Sequence, residues 1–477
     1  MFSLPAVSAT ASRAAPLGLV RELRAMLALA LPLVLTQLTQ ILVHTTEVVM
    51  LGRLGAASLA AATLAAALFH TGMLFGIGVA SATAPLIAQA RGARQPRQVR
   101  RVVRQGLWVA LAVTLPLMTA MWFVRPLLAA MGQDPALLEM TEAYMRAALW
   151  GLPFSVGFIV LRSFAAAFGH ARAILMAALA AALINIPMSW ALIFGRLGLP
   201  PLGTRGAGIA VAISYALMFG LLLVYCLTAN PLRRYNAIGR LWRPDWATLR
   251  EILRVGLPIG GAVVMETGLF AASTLFMGLI GTAQLAAHQI ALQLASIAFM
   301  VPLGLSHAAT IRIGLAAGAD DWPRTRLAGW VACGLGTAFM GAMAVLFATA
   351  PGALVGLFLD PATAEGAAAF AFAIGFLRIA ALFQLVDGLQ VIGIASLRGL
   401  KDTAVPMWLA GFGYWLVGFP ICWVLGFHTP LGGNGIWIGL AFALATVAVV
   451  MVLRFERLTR CGARRLNPDA TDQRPAS

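Results

Sequence analysis

The stretch "VVMETGLFAAST", Val263–Thr274, decides how this chain is to be read. It sits in an apolar run from Gly256 to about Gly281 whose one ionisable residue, Glu266, lies near the middle. Such a run meets the roughly 20 mostly apolar residues that cross a bilayer as a helix. A carboxyl group is kept in hydrocarbon where it faces a cavity or a partner. The stretch therefore predicts both a membrane span and a site.

The rest of the chain repeats the pattern. Of 477 residues, 61% are hydrophobic and 11% charged, and the mean hydropathy is +0.88. A soluble domain needs many more surface charges. Twelve runs are long enough to span, at 26–50, 57–86, 102–124, 138–163, 170–195, 207–229, 252–278, 284–312, 327–349, 371–397, 404–427 and 435–455.

The net charge is +17, and of 34 Lys and Arg only Lys401 is a lysine. These charges sit in short connections, which excludes a nucleic-acid face and fits the positive-inside bias. One set of connections holds Arg91, Arg94, Arg97, Arg100, Arg101 and Arg104, then Arg233, Arg234, Arg240, Arg243 and Arg250. It continues with Arg324, Arg326, Arg398 and Lys401. The opposite set holds Arg53, Arg125, Arg196 and Arg205. Both termini are expected on the basic, cytoplasmic side of a bacterial inner membrane. No cleavable signal peptide is visible. Cys226, Cys333, Cys422 and Cys461 have no metal or disulfide spacing and read as inert thiols.

The chain also repeats itself. A shift of 226 residues aligns Pro32 with Pro258, Gly52 with Gly278, Gly55 with Gly281, Gly78 with Gly304 and Gly92 with Gly318. Asp134-Pro135 falls on Asp360-Pro361, and by the end of the halves the shift has drifted to 229, where "PLGTRGAGI" faces "PLGGNGIWI". Six spans separate equivalent points, so both halves insert in one orientation. The expected fold is an all-α membrane protein of twelve transmembrane helices. They form two six-helix bundles related by a pseudo-two-fold axis along the membrane normal. The bundles cover 26–229 and 252–455, flanked by an N-terminal segment 1–25, a linker 230–251 and a tail 456–477.

Three acids fall inside spans: Glu47, Glu266 and Asp387. Glu266 and Asp387 are both near mid-depth and together can share a proton or ligate Na⁺, a hard cation that prefers oxygen ligands. Each is otherwise a protonated acid bonded to a neighbouring helix. Glu47 is either a solvated acid at the outer interface or the end of a functional stripe. Gln37, Gln40, His44 and Glu47 are spaced to share one helix face, directed at the cleft. The repeat places Gln40 on Glu266, so only the second half makes that position ionisable.

Gln289, Gln293 and Ser296 form a second stripe, serving as an interhelical seam or a substrate path. His288 points away from it and reads as a packed histidine, and Asn185 is a further mid-span polar residue. Arg378 either snorkels outward or pairs across helices, and is the arginine placed inside the cleft. No P-loop, zinc-protease, nucleophile-elbow or Cys/His signature occurs. The chain reads as no enzyme, with energy from an ion gradient rather than bound ATP.

The segments "GLPIGGAVVMETGLF", "LAAHQIALQLASIAFMVPLGLSHAATIRIG" and "FQLVDGLQVIGIASLRGLKDTAVPM" resemble the multidrug and toxic compound extrusion (MATE) family, in its NorM-like branch. The resemblance runs from about Pro32 to the end of the twelfth span. It implies an antiporter that exports cationic amphipathic drugs in exchange for Na⁺ or H⁺. It implies that Glu266 and Asp387 belong to the cation site. The family often has Asp where this chain has Glu47, and "NIPMSW" matches its fifth helix, which brings Asn185 into the first-half pocket. The expected partners are small-molecule drugs and lipid, the expected state a monomer, and the expected cofactor none beyond the coupling ion. The alternative is a flippase for a lipid-linked precursor, which would want arginines inside the cleft.

Overall fold

The computed structural model describes residues 11–130, 132, 134–196, 198, 200–237, 239, 241–359 and 364–466. Arg240, the Asp360-Pro361 pair and residues 1–10 and 467–477 of the terminal segments lie outside the described residues. Twelve helices are long and apolar enough to cross a membrane. In chain order they are α1 (Gly18–Leu54), α2 (Ala56–Gly92), α3 (Pro96–Trp122), α4 (Leu137–Ala167), α5 (Ala171–Phe194) and α6 (Gly203–Thr228). The second half has α7 (Trp246–Ile280), α8 (Thr282–Gly318), α9 (Trp322–Thr349), α10 (Gly366–Gly399), α11 (Ala404–Phe427) and α12 (Gly433–Gly462). No strand occurs among the described residues. This is what hydrocarbon demands, since helices satisfy their own backbone bonds.

Several helices run further than the apolar runs that predict them. α2 continues to Gly92 and α8 to Gly318, so each, at 37 residues, is longer than the roughly 20 residues a crossing needs. The turns are correspondingly tight. α1 and α2 are separated by Gly55 alone, whose φ of 127° suits glycine, and α7 and α8 by Gly281 alone. At the basic end, Asp245 caps α7 by accepting from the Thr248 N–H at 3.1 Å, and Asp321 caps α9 the same way from Arg324. Cys226, Cys333 and Cys422 are buried thiols, and Cys461 is exposed.

The packing is two-fold. Within the first half α1 packs on α5, α2 on α4, α4 on α6 and α5 on α6. The second half repeats this with α7 on α11, α8 on α10, α10 on α12 and α11 on α12. Between halves, α1 packs on α8 and α7 on α2, the same contact with the halves exchanged.

The glycines aligned by the repeat explain how close the halves come. A Cβ on Gly78 would stand 2.7 Å from the Gly260 Cα. A Cβ on Gly304 would stand 2.7 Å from the Val34 Cα, and Val34 is the repeat partner of Gly260. Gly92 and Gly318, at the basic ends of α2 and α8, each abut the other helix's backbone. Small residues thus let the helices touch along their backbones. Closure at this end is completed by polar links between halves. Glu22 of α1 is paired with Arg312 of α8 at 2.5 Å and with Arg324 of α9 at 3.4 Å. Gln89 of α2 donates to the Gly399 carbonyl at 2.8 Å.

Candidate functional site

The first-half site is a cavity of about 600 Å³. Gln37, Gln40, His44 and Glu47 line it together, as one face of α1. α2 adds His70, α5 adds Asn185, α6 adds Ser214 and Tyr215, and α8 of the other half adds Met300. Glu47 is only 6% exposed and is not a solvated interface acid. The Asn185 Nδ2 sits 3.3 Å from Glu47 Oε1, 2.5 Å from Ser214 Oγ and 3.3 Å from the Ala210 carbonyl. Asn185 itself is 1% exposed, so the acid is held by a rigid, fully packed donor. His44 and His70 stand edge to face, ring centroids 5.2 Å apart, on the same wall.

The second-half site is built around Glu266 on α7. Gln390 of α10 donates to Glu266 Oε1 at 3.3 Å and to the Tyr414 hydroxyl at 2.5 Å. Asp387, 5% exposed, lies three residues before Gln390, and it and Glu266 are within Coulombic reach of each other. The surroundings are rich in uncommitted oxygen. Gln384 is fully buried with neither its amide oxygen nor its nitrogen bonded among the described residues, and Gln390 Oε1 is likewise free. Buried polar groups are rarely left so. An oxygen-rich cluster with two carboxylates is suited to take up a hard cation or a proton.

Tyr414 has no counterpart among the residues singled out from sequence. It lies in a π-helical stretch of α11, Phe412–Gly418, which sets its side chain against α10. Such bulges concentrate at functional sites. At the 229-residue shift its repeat partner is Asn185. Each half therefore brings a polar group from its fifth helix toward an acid on its first, directly in one half and through Gln390 in the other.

Other expected residues fall elsewhere. Gln289, Gln293 and Ser296 are exposed and do not line the first-half cavity. His288 is packed, its Nε2 3.4 Å from Thr274 Oγ1 and its ring edge-on to Trp437. Arg378 is exposed and does not line the first-half cavity. The arginines inside the fold are instead Arg162 of α4, which is buried, and Arg398, which is half-buried. Arg398 belongs to the last turn of α10 rather than to a connection, with its Nε buried. Arg162 was readable in principle, as a lone cation in "VGFIVLRSFAAAF".

This architecture is shared with known proteins. The chain is 44% identical over 443 residues to the probable multidrug resistance protein NorM of Mesorhizobium japonicum, covering 92% of this chain and 95% of that one. It is 46% identical to the protein of the same description from Rhodopseudomonas palustris, with 92% of each chain covered. The solved structure of the eukaryotic MATE transporter AtDTX14 superposes with a TM-score of 0.82 at 21% identity, over 94% of this chain and all of that one. An outward-facing multidrug resistance MATE transporter of the MOP superfamily superposes with a TM-score of 0.83 at 20% identity, over 92% and 96%. The MatE family model matches twice, over residues 32–191 and 258–424, starting at the two prolines that the internal repeat superposes. With both halves matched and relatives this close along nearly its whole length, the chain belongs to the MatE family.

Proposed function

We propose that the protein is a secondary active multidrug antiporter of a bacterial inner membrane, exporting cationic amphipathic compounds in exchange for Na⁺ or H⁺. Both termini and the basic end face the cytoplasm. The observation that carries the reading is the second-half site, where Glu266, Asp387, Gln390 and Tyr414 cluster beside unpaired amide oxygens. The close relatives named as multidrug resistance proteins support the substrate class.

The first-half cavity suits such substrates. Its walls are largely apolar, with Met73, Met218 and Met300 as adaptable surfaces and Glu47 as the fixed charge. The division of labour follows from the asymmetry. The drug's cation is held against Glu47 in the first half, while the coupling ion loads Glu266 and Asp387 in the second. Ion binding changes the charge at the seam between halves, and the halves rock about the glycine contacts. A coupling ion can drive this only through a difference in its affinity for the two states.

A flippase for a lipid-linked precursor is the second reading, favoured by the buried Arg162 and the half-buried Arg398. These arginines line a chamber of about 20 Å³, far too small for a lipid headgroup, and the first-half cavity has no arginine in its wall. The antiporter reading is therefore preferred. Proteoliposomes with an imposed Na⁺ gradient, or separately a pH gradient, test it. Glu266→Gln and Asp387→Asn are each expected to abolish ion-driven efflux. Normal efflux in both variants would overturn the coupling assignment.

A further inference from the structure

Two arginines that this cycle leaves unused stand at the seam between the halves. Arg162, 7% exposed, donates to Gln37 Oε1 at 3.5 Å and toward His307 Nε2 at 3.2 Å. A guanidinium only donates, so this His307 nitrogen accepts and the imidazole is neutral, with its proton on Nδ1. Both partners of Arg162 are thus uncharged. Arg398 faces the same chamber, and its buried Nε has no hydrogen-bond partner among the described residues. The acid within its reach is Glu266, whose charge is compensated whenever a cation or proton loads there.

The chamber these side chains enclose lies between α4 of one half and α8 and α10 of the other, with a volume of about 20 Å³. That is room for one small sphere. Ser81, Ser163 and Thr310 also wall it, but each hydroxyl already donates to a backbone carbonyl. The uncommitted donors are therefore the His307 Nδ1–H and the two guanidinium groups. Two like charges in a low-dielectric chamber repel strongly unless a counter-charge joins them.

We propose that this chamber binds one monovalent anion of chloride size, bridging Arg162 of the first half and Arg398 of the second. Because the two arginines come from different halves, the site is complete only while the basic end is closed. The anion then stabilises that state by mass action and is released when the halves part. Chloride would act as a latch on the cytoplasmic gate, and the geometry of the chamber is independent of which cation couples transport.

The test uses the purified full-length protein in detergent, with sodium chloride, sodium bromide and sodium gluconate at equal sodium concentration and ionic strength. Chloride and bromide are expected to raise the unfolding temperature in a saturable way that gluconate does not reproduce. Crystals grown in bromide should show an anomalous peak between Arg162 and Arg398. Arg162→Gln and Arg398→Gln should each raise the half-saturating chloride by about tenfold or more, the loss of one charged hydrogen-bond donor. Identical unfolding temperatures in chloride and gluconate would overturn the proposal. So would a chamber holding only water in bromide, or a chloride response unchanged in both variants. If a variant does not fold, the halide comparison and the bromide peak on the unaltered protein decide. A failure of ion-driven efflux would leave these readouts unaffected, so the two ideas fail separately.

Discussion

Glu266 and Glu47 sit in one fold at related places and are held differently. Glu47 receives a direct donor from Asn185, itself locked by Ser214. Glu266 receives Gln390, which is anchored on Tyr414. Tyr414 therefore acts through Gln390, as a positioning residue. Tyr414→Phe keeps the ring's packing and removes the anchor. One hydrogen bond is worth about 1 kcal/mol net, so the half-saturating concentration of the coupling ion should rise roughly fivefold. The concentration dependence on drug should stay where it is. Flux measured against ion and against drug separates the two, and a change in the drug curve alone would contradict this role. The acids were legible in sequence because a carboxylate in an apolar run stands out. Tyr414 was not, because a tyrosine in a span is unremarkable until a π-helical stretch turns it toward α10. Glu22 was hidden for another reason: its partner Arg312 lies 290 residues away, a separation that no local pattern reports.

At the scale of helices, the glycine register was the most informative part of the sequence, and the structure gives its cause. Gly78 and Gly304 are small because backbone lies 2.7 Å from where their Cβ would stand, and backbone cannot move aside. Gly78→Ala and Gly304→Ala are therefore expected to destabilise by about 1–3 kcal/mol each, the usual cost of overpacking. Gly334 of α9 is the control, since a Cβ there meets nothing within 4 Å. Alanine at that position should be neutral or stabilising by up to about 1 kcal/mol, through the lower entropy of the unfolded chain. Thermal unfolding of the three variants side by side checks the pattern. Equal effects at Gly78 and Gly334 would mean that the halves are not in backbone contact. What the register could not give was depth. The apolar runs end where charge begins, whereas α2 and α8 continue as helices to Gly92 and Gly318 and carry the contact on to the basic end.

For the whole molecule, alternating access requires that closure at the basic end be strong enough to seal and weak enough to reverse. The glycine contacts supply shape, but the polar links between halves set the balance. Glu22 is the centre of these links: 3% exposed and paired with both Arg312 and Arg324. Removing one partner of a buried ion pair costs about 3–5 kcal/mol, because the other charge stays desolvated. Opening the basic end rehydrates Arg312, so in Glu22→Gln the cost falls mainly on the closed state. The expected outcome is a shift of the resting population toward a conformation open at the basic end. A cysteine introduced at Ser81, on the seam, reports it in a background where the exposed Cys461 is replaced. Its maleimide labelling should rise by an order of magnitude or more over the same reporter with Glu22 intact. Exchanging the charges, with Glu22→Arg and Arg312→Glu together, restores one pair but leaves Arg324 facing a like charge, so labelling should fall only part of the way back. Unchanged labelling in Glu22→Gln would show that the glycine contacts alone hold the basic end shut.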